Sequence, residues 1–115
     1  MRLNHVNLTV SDLERSAIFY ETHFGFDTRV HDEDDFVMLS KPDGSLLALM
    51  PGAPPDNAME AFHFGFQLAG PDEVRAARER FREAGVPELE WQQEGGFALV
   101  RVTDPDGYGV ELFSA

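Results

Sequence analysis

The sequence predicts an α+β fold made of two tandem βαβββ modules, and three observations support this prediction. Two alternating, strand-like segments, LNHVNLTV at 3–10 and AFHFGFQL at 61–68, each precede a segment with helical periodicity. Three further short strand-like segments follow each helix. A Pro-Asp-Gly turn precedes the last strand of each half. A pattern that occurs twice along one chain indicates an internal repeat.

Both predicted helices carry signals at their ends. The first begins after Ser11, the expected N-cap, and Glu14 completes a capping-box pattern. Its expected apolar side is formed by Leu13, Ala17, Ile18, Phe19 and Phe24. The second helix is expected to run from Pro71 to Gly85, residue types that favour the start and the end of a helix.

The remaining strands are expected at about 26–31, 35–40 and 45–50, and then at about 88–93, 97–103 and 108–113. A proline-rich linker at 51–60 separates module 1, about 1–50, from module 2, about 61–115. Neither module is long enough to be a comfortable independent domain. We therefore expect a single domain over 1–115, in which the two modules share a core.

Composition and charge limit the classes of partner. The formal net charge is −12, from 21 Asp and Glu against 9 Lys and Arg. Such a balance disfavours nucleic acid and anionic membranes, and it suits a cationic small molecule. The sequence has no cysteine, no apolar run long enough to span a membrane and no signal-peptide pattern. We therefore expect a cytoplasmic protein.

The first strand of each module carries a histidine on its polar face. His5 and His63 take corresponding positions when the two strands are overlaid. The residues that share their faces are Asn7, Thr9, Gly65 and Gln67. The opposite, apolar face of the second of these strands is expected to comprise Phe62, Phe64, Phe66 and Leu68. In the last predicted strand, alternation separates Glu111 from the apolar Val110 and Leu112.

Two histidines and one carboxylate form the ligand set of a facial triad. This set suits Fe, Mn, Zn, Ni or Co as a divalent ion and leaves positions open for substrate oxygens. The sequence therefore predicts one ion held by His5, His63 and Glu111. The candidates for positioning a substrate are Asn7, Thr9, Gln67 and Trp91. Trp91 has an alternative role in core or dimer-interface packing.

Three segments of the chain closely resemble the vicinal oxygen chelate superfamily: NHVNLTVSDLERSAIFY, FHFGF and DPDGYGVEL. This superfamily comprises glyoxalase I, extradiol dioxygenases, fosfomycin-resistance enzymes, methylmalonyl-CoA epimerase and bleomycin-resistance proteins. The resemblance implies a cup-shaped, partly open mixed β-barrel that holds a divalent metal, with the helices outside. It places the family's ligands on the first and last strands of each module, at His5, His63 and Glu111. It also implies a homodimer, whose sites lie within one chain or are shared between chains.

The family's fourth ligand position falls on Ala48, which overlays Glu111 when the Pro-Asp-Gly turns are aligned. Alanine cannot coordinate a metal, and in glyoxalase I the residue at this position can act as the proton-transfer base. A three-ligand site looks more like those of the extradiol dioxygenases and the fosfomycin-thiol transferases. We therefore expect a metal-dependent glyoxalase- or dioxygenase-like enzyme, whose small substrate chelates the metal through adjacent oxygens. The alternative is a bleomycin-resistance-like protein that sequesters a cationic or aromatic antibiotic without catalysis.

Overall fold

A computed structural model describes residues 1–115, except for the side chain of residue 61, and divides the chain into two compact units. The first unit is Met1–Asp56 and the second is Asn57–Ala115. Their boundary lies inside the linker predicted at 51–60. Among the described residues, no helix has the length and apolar character needed to cross a membrane.

The first unit contains four strands and one helix in the order predicted from the sequence. Its elements are β1 (His5–Val10), α1 (Leu13–His23), β2 (Thr28–Glu33), β3 (Phe36–Ser40) and β4 (Leu46–Pro51). They form a mixed sheet with the order β1-β4-β3-β2, in which only the β1–β4 pair is parallel. Parallel neighbours need a long crossover connection, and α1, β2 and β3 provide it here.

The second unit repeats this topology after a short additional helix. Its elements are α2 (Ala58–Ala61), β5 (His63–Gln67), α3 (Pro71–Glu83), β6 (Glu88–Glu94), β7 (Phe97–Thr103) and β8 (Gly109–Ser114). The sheet order is β5-β8-β7-β6, and only the β5–β8 pair is parallel. The α+β class and the two tandem βαβββ modules are therefore confirmed. The helix α2 was not predicted and begins inside the proline-rich linker.

The parallel strands of the two sheets are paired in the same register, which supports the overlay of the two halves. On β4, Ala48 lies beside Asn7 of β1, two residues beyond the first-strand histidine. On β8, Glu111 lies beside Gly65 of β5, again two residues beyond the histidine. Ala48 and Glu111 therefore occupy equivalent positions, as the alignment of the turns predicts.

Each helix packs on one face of its own sheet through three buried residues with the same spacing. These residues are Ala17, Tyr20 and the C-cap residue Phe24 in the first unit, and Val74, Ala77 and Phe81 in the second. They cover inward-pointing residues of the sheets, which include Leu39, Leu47 and Leu49 in the first unit and Val100, Val102 and Val110 in the second. Spacings of three and then four residues keep these side chains on one helical stripe, which fixes the face that each helix buries.

Three local expectations were wrong. The N-cap of α1 is Asp12 rather than Ser11, since the Asp12 carboxylate accepts a hydrogen bond from the backbone N–H of Arg15 at 3.0 Å. Ile18 is 51% exposed because it falls outside the buried stripe of α1. Phe62 is 41% exposed, so the phenylalanine face of the β5 segment is only partly buried.

An ion pair joins the helix to the edge strand in both units, with opposite polarity. Glu21 on α1 binds Arg29 on β2 at 2.7 Å, whereas Arg78 on α3 binds Glu88 on β6 at 2.7 Å. Glu21 directly follows Tyr20, and Arg78 directly follows Ala77, the equivalent buried residue of α3. Arg29 and Glu88 each precede the point where their strand shifts register. The two pairs thus occupy equivalent places in the repeat.

Candidate functional site

A row of four paired residues crosses the second sheet on the face opposite to α3. From β5 to β6 the row is Gly65, Glu111, Arg101 and Glu90. Residues paired in register across neighbouring strands project to the same face of a sheet. The row therefore brings two carboxylates and one guanidinium together.

Glu111 leans from this row toward His63. Its Oε2 lies 3.6 Å from Nε2 of His63, and the Glu111 side chain is only 14% exposed. A Cβ at position 65 would overlap Cγ of Glu111 and would lie 3.0 Å from its backbone oxygen. The Glu111 side chain thus occupies the space that any other residue at position 65 would fill.

Arg101 lies between the two carboxylates of the row. Its Nε lies 3.4 Å from Oε2 of Glu111, the same oxygen that faces His63. Its Nη2 donates to Oε1 of Glu90 at 2.5 Å, and the side-chain amide of Gln92 donates to the other oxygen of Glu90. One Glu111 oxygen is therefore shared between an imidazole and a guanidinium.

Sequence reasoning missed Arg101 and Glu90. Arg101 is the one charged residue in the strand FALVRVT, at a position that alternates with buried valines, and this was an available signal. Its pairing with Glu111 depends on the register of the β7–β8 hairpin, which the loop at 104–108 sets. A Pro-Asp-Gly motif indicates a turn there but does not fix the register across a loop of that length.

The equivalent row of the first sheet is Asn7, Ala48, Met38 and His31, from β1 to β2. It has an alanine where the second sheet has its carboxylate and an asparagine where the second sheet has its glycine. Asn7 is exposed, and its side-chain amide lies 3.5 Å from Sδ of Met50. Because Asn7 has a Cβ, a glutamate at position 48 would lack the space that Glu111 uses beside Gly65.

The other predicted residues fall in different places. His5 and Thr9 are exposed on β1 of the first unit, and Nδ1 of His5 lies 3.1 Å from Oδ1 of Asn4. Gln67 is exposed on β5, on the same face as His63. Trp91 instead alternates with Glu90 and lies under the guanidinium of Arg78 from α3, 4.4 Å from the ring centroid. The second unit thus brings His63, Glu111 and Gln67 to one face and places Trp91 on the other.

His63 and Glu111 are suitable donors for a divalent cation. Two ligands that each lie about 2.1 Å from one ion are at most about 4.2 Å apart, and this pair satisfies that limit. The absence of a Cβ at Gly65 leaves the space in which the Glu111 side chain lies beside the imidazole. Among the side chains that the structure describes, no group of three His, Asp or Glu is gathered as a complete metal site. His63 and Glu111 are therefore the two candidate ligands that the structure brings together within the second unit.

Comparison with known protein families finds one family model that matches this chain. The family model described as Glyoxalase/Bleomycin resistance protein/Dioxygenase superfamily matches residues 2–112. No curated protein matches the chain. The resemblance to the vicinal oxygen chelate superfamily that the sequence motifs indicate is confirmed.

Solved structures with the same fold cover nearly the whole chain. A genomically encoded fosfomycin resistance protein, FosX, from Listeria monocytogenes has a TM-score of 0.85 at 20% identity, with 100% of this chain and 93% of that chain covered. A lactoylglutathione lyase from Agrobacterium tumefaciens has a TM-score of 0.80 at 22% identity, covering 99% and 93%. A possible glyoxalase from Bacillus cereus has a TM-score of 0.77 at 27% identity, covering 97% of both chains.

Proposed function

The chain belongs to the glyoxalase/bleomycin resistance protein/dioxygenase superfamily, and from this premise we propose that it is a divalent-metal-dependent enzyme. Its proposed substrate is a small molecule that chelates the ion through two adjacent oxygens. The proposal rests above all on one observation. Glu111 is a largely buried carboxylate that lies beside an imidazole, in space that is open only because residue 65 is glycine.

The negative charge of such a carboxylate must be compensated by a cationic partner. Removing a charged carboxylate from water is unfavourable unless an opposite charge or several hydrogen bonds compensate. Oε2 of Glu111 has Arg101 at 3.4 Å and His63 at 3.6 Å, both longer than a strong charge-assisted hydrogen bond of about 2.8 Å. A divalent ion held by His63 and Glu111 would compensate the charge more fully. We propose His5 as the third ligand, as the family motif implies.

Each residue then has a definable task. The bound metal would act as a Lewis acid toward an oxyanion of the substrate. His63 and Glu111 would hold the ion, and Gly65 would leave room for the carboxylate beside His63. Gln67, together with Asn7 and Thr9, would offer hydrogen bonds that orient the substrate. Since residue 48 is alanine, it cannot act as a base. We therefore favour reactions that do not require a catalytic base at position 48.

The test is metal content and affinity in the wild type and in matched variants. Protein purified without added metal and then titrated with Mn²⁺, Ni²⁺ and Zn²⁺ should bind about one equivalent per chain. His63→Ala and Glu111→Ala should each weaken binding at least about 100-fold, because each removes one ligand. His31→Ala and Glu33→Ala, which remove an exposed imidazole and an exposed carboxylate from β2, are the controls and should bind as the wild type does.

Two results would contradict the proposal. One is wild-type protein that binds none of the three ions. The other is Glu111→Ala protein that binds them as tightly as the wild type. Either result, combined with ligand binding that survives loss of His63 and Glu111, would favour a bleomycin-resistance-like protein that sequesters a cationic or aromatic compound. The acidic composition of the chain suits such a ligand.

A further inference from the structure

The charged row of the second sheet contains a cation that the metal-site proposal does not use. Arg101 lies between Glu111 and Glu90, and its side chain is only 23% exposed. The equivalent position in the first sheet is Met38. A guanidinium at this position of the row is therefore particular to the second sheet and is not a general requirement of the module.

The two ends of the guanidinium are held unequally. At the Glu90 end, Nη2 donates to Oε1, and the side-chain amide of Gln92 donates to the other oxygen of that carboxylate. At the Glu111 end, Nε reaches Oε2 over 3.4 Å. Hydrogen bonds weaken steeply with distance and misalignment. Glu90 therefore anchors Arg101, and the contact with Glu111 is the one that a competitor can replace.

A metal ion bound by His63 and Glu111 would be such a competitor. The oxygen that faces His63 is the same oxygen that Arg101 contacts. If His63 and Glu111 held a divalent cation, Nε of Arg101 would lose its contact with Glu111, because the carboxylate would be engaged and the guanidinium would be repelled by the positive charge. Arg101 would then remain anchored at Glu90, with donors directed toward the face that carries His63.

We propose that the Arg101 side chain binds an anion, and that it can do so only when a metal ion has replaced its contact with Glu111. Without the ion it contacts Glu111, and with the ion bound its Nε is available to an anionic oxygen of the ligand. The ligand class that follows is a small molecule with a carboxylate or phosphate oxygen, since the planar guanidinium matches the geometry of these oxyanions. This inference rests on the proposed metal site and specifies its ligand.

The proposal predicts positive coupling between a divalent cation and a simple oxyanion. Calorimetric titration of Ni²⁺ into the full-length wild-type protein, with and without inorganic sulfate, measures this coupling. We expect sulfate to tighten Ni²⁺ binding at least about fivefold, and Ni²⁺ to tighten sulfate binding by the same factor because linkage is reciprocal.

Variants separate Arg101 from direct coordination of sulfate to the ion. Arg101→Gln should lose the sulfate effect while it binds Ni²⁺ alone at least as tightly as the wild type, because a competing cation has been removed. Arg101→Lys should keep part of the effect, since it retains the charge without the planar group. Arg80→Gln, an exposed arginine on α3, is the control and should keep the full effect. Circular dichroism verifies that each variant is folded.

The outcomes are distinguishable. Wild-type protein that binds no Ni²⁺ would overturn the proposed metal site and this inference with it. Wild-type protein that binds Ni²⁺ without any effect of sulfate would overturn the inference alone. The same holds if Arg101→Gln keeps the full sulfate effect. If folded Arg101→Gln no longer binds Ni²⁺, Arg101 supports the geometry of Glu111 rather than binding an anion, and the inference is overturned.

Discussion

At position 65 a hydrogen atom stands where any other residue would place a Cβ, and the Glu111 side chain lies across that space. In Gly65→Ala, the added methyl group would overlap Cγ of Glu111 and press on its backbone oxygen. The carboxylate would have to swing away from His63. We expect metal affinity to fall by about 10- to 100-fold, as for other losses of support around metal ligands. The overlap should also destabilise the fold by about 1–3 kcal/mol.

Metal titration and chemical denaturation check both parts of this expectation. The matched control is Gly96→Ala, because a Cβ at that position would meet no atom within 4 Å. That variant should keep both the affinity and the stability of the wild type. Wild-type affinity in Gly65→Ala would show that metal binding by Glu111 does not depend on the space beside Gly65.

Residues of the candidate site differed in how readily the sequence revealed them. Alternation along β5 and β8 sufficed to assign His63 and Glu111 to one face, and the structure places them 3.6 Å apart. Arg101 obeys the same alternation, but its partner depends on a register that no local pattern specifies. Trp91 was a candidate for the site because of its residue type, whereas its position between Glu90 and Gln92 turns it toward α3.

At the scale of elements, the ion pair between α3 and β6 carries a pH dependence. A hydrogen bond from Arg78 holds the pKa of the Glu88 carboxyl below its ordinary value of 4.5. A carboxyl whose pKa is lowered by folding stabilises the protein above its unfolded pKa. That contribution is lost as the pH falls through the lowered, folded pKa. Glu88→Gln should therefore destabilise the protein near neutral pH, by no more than about 1 kcal/mol for such a pair. The difference from the wild type should shrink as the pH falls from about 5 toward 2.

Urea denaturation of both proteins at a series of pH values measures this difference. Glu94→Gln removes a charge from the same strand and leaves the Arg78–Glu88 pair in place, so it corrects for the change in net charge. If the difference between the Glu88 and Glu94 variants does not grow with increasing pH, the pair does not stabilise the folded state.

Strands and helices were predicted well because their periodicities are local properties of the sequence. The boundaries were less certain for a physical reason. Ser11 and Asp12 are both good N-cap residues, and the extended backbone at Asp12 decides between them. The helix α2 has only four residues, too few for a periodic apolar stripe to appear in the sequence.

At the scale of the whole molecule, the proposed ligands belong to both units, and the resemblance to the family implies a homodimer. Mixed dimers of His5→Ala chains with Glu111→Ala chains test how the site is completed. If each site takes His5 from one chain and His63 and Glu111 from the other, a mixed dimer should contain one intact site. Metal binding would then be partly rescued on mixing. Sites formed within one chain give no rescue, and titration of the mixture against each variant alone distinguishes the two cases.

The fold of the whole chain could be predicted because it is encoded twice. Each half supplies an independent reading of the βαβββ pattern, and agreement between them fixed the equivalence of Ala48 and Glu111 before any register was known. The chemical difference between the sheets was harder to predict. The rows Asn7-Ala48-Met38-His31 and Gly65-Glu111-Arg101-Glu90 are equivalent in position and share no residue.

The opposite polarity of the two helix–strand ion pairs has a consequence for a chain that contains two copies of one topology. Similar halves can exchange elements, either within a chain or between neighbouring chains during folding. Docking of α1 on the second sheet would place Glu21 against Glu88, and docking of α3 on the first would place Arg78 against Arg29. Both exchanges set like charges face to face and are disfavoured. The reversed charges thus favour the pairing of each sheet with its own helix over the pairing with the helix of the other half.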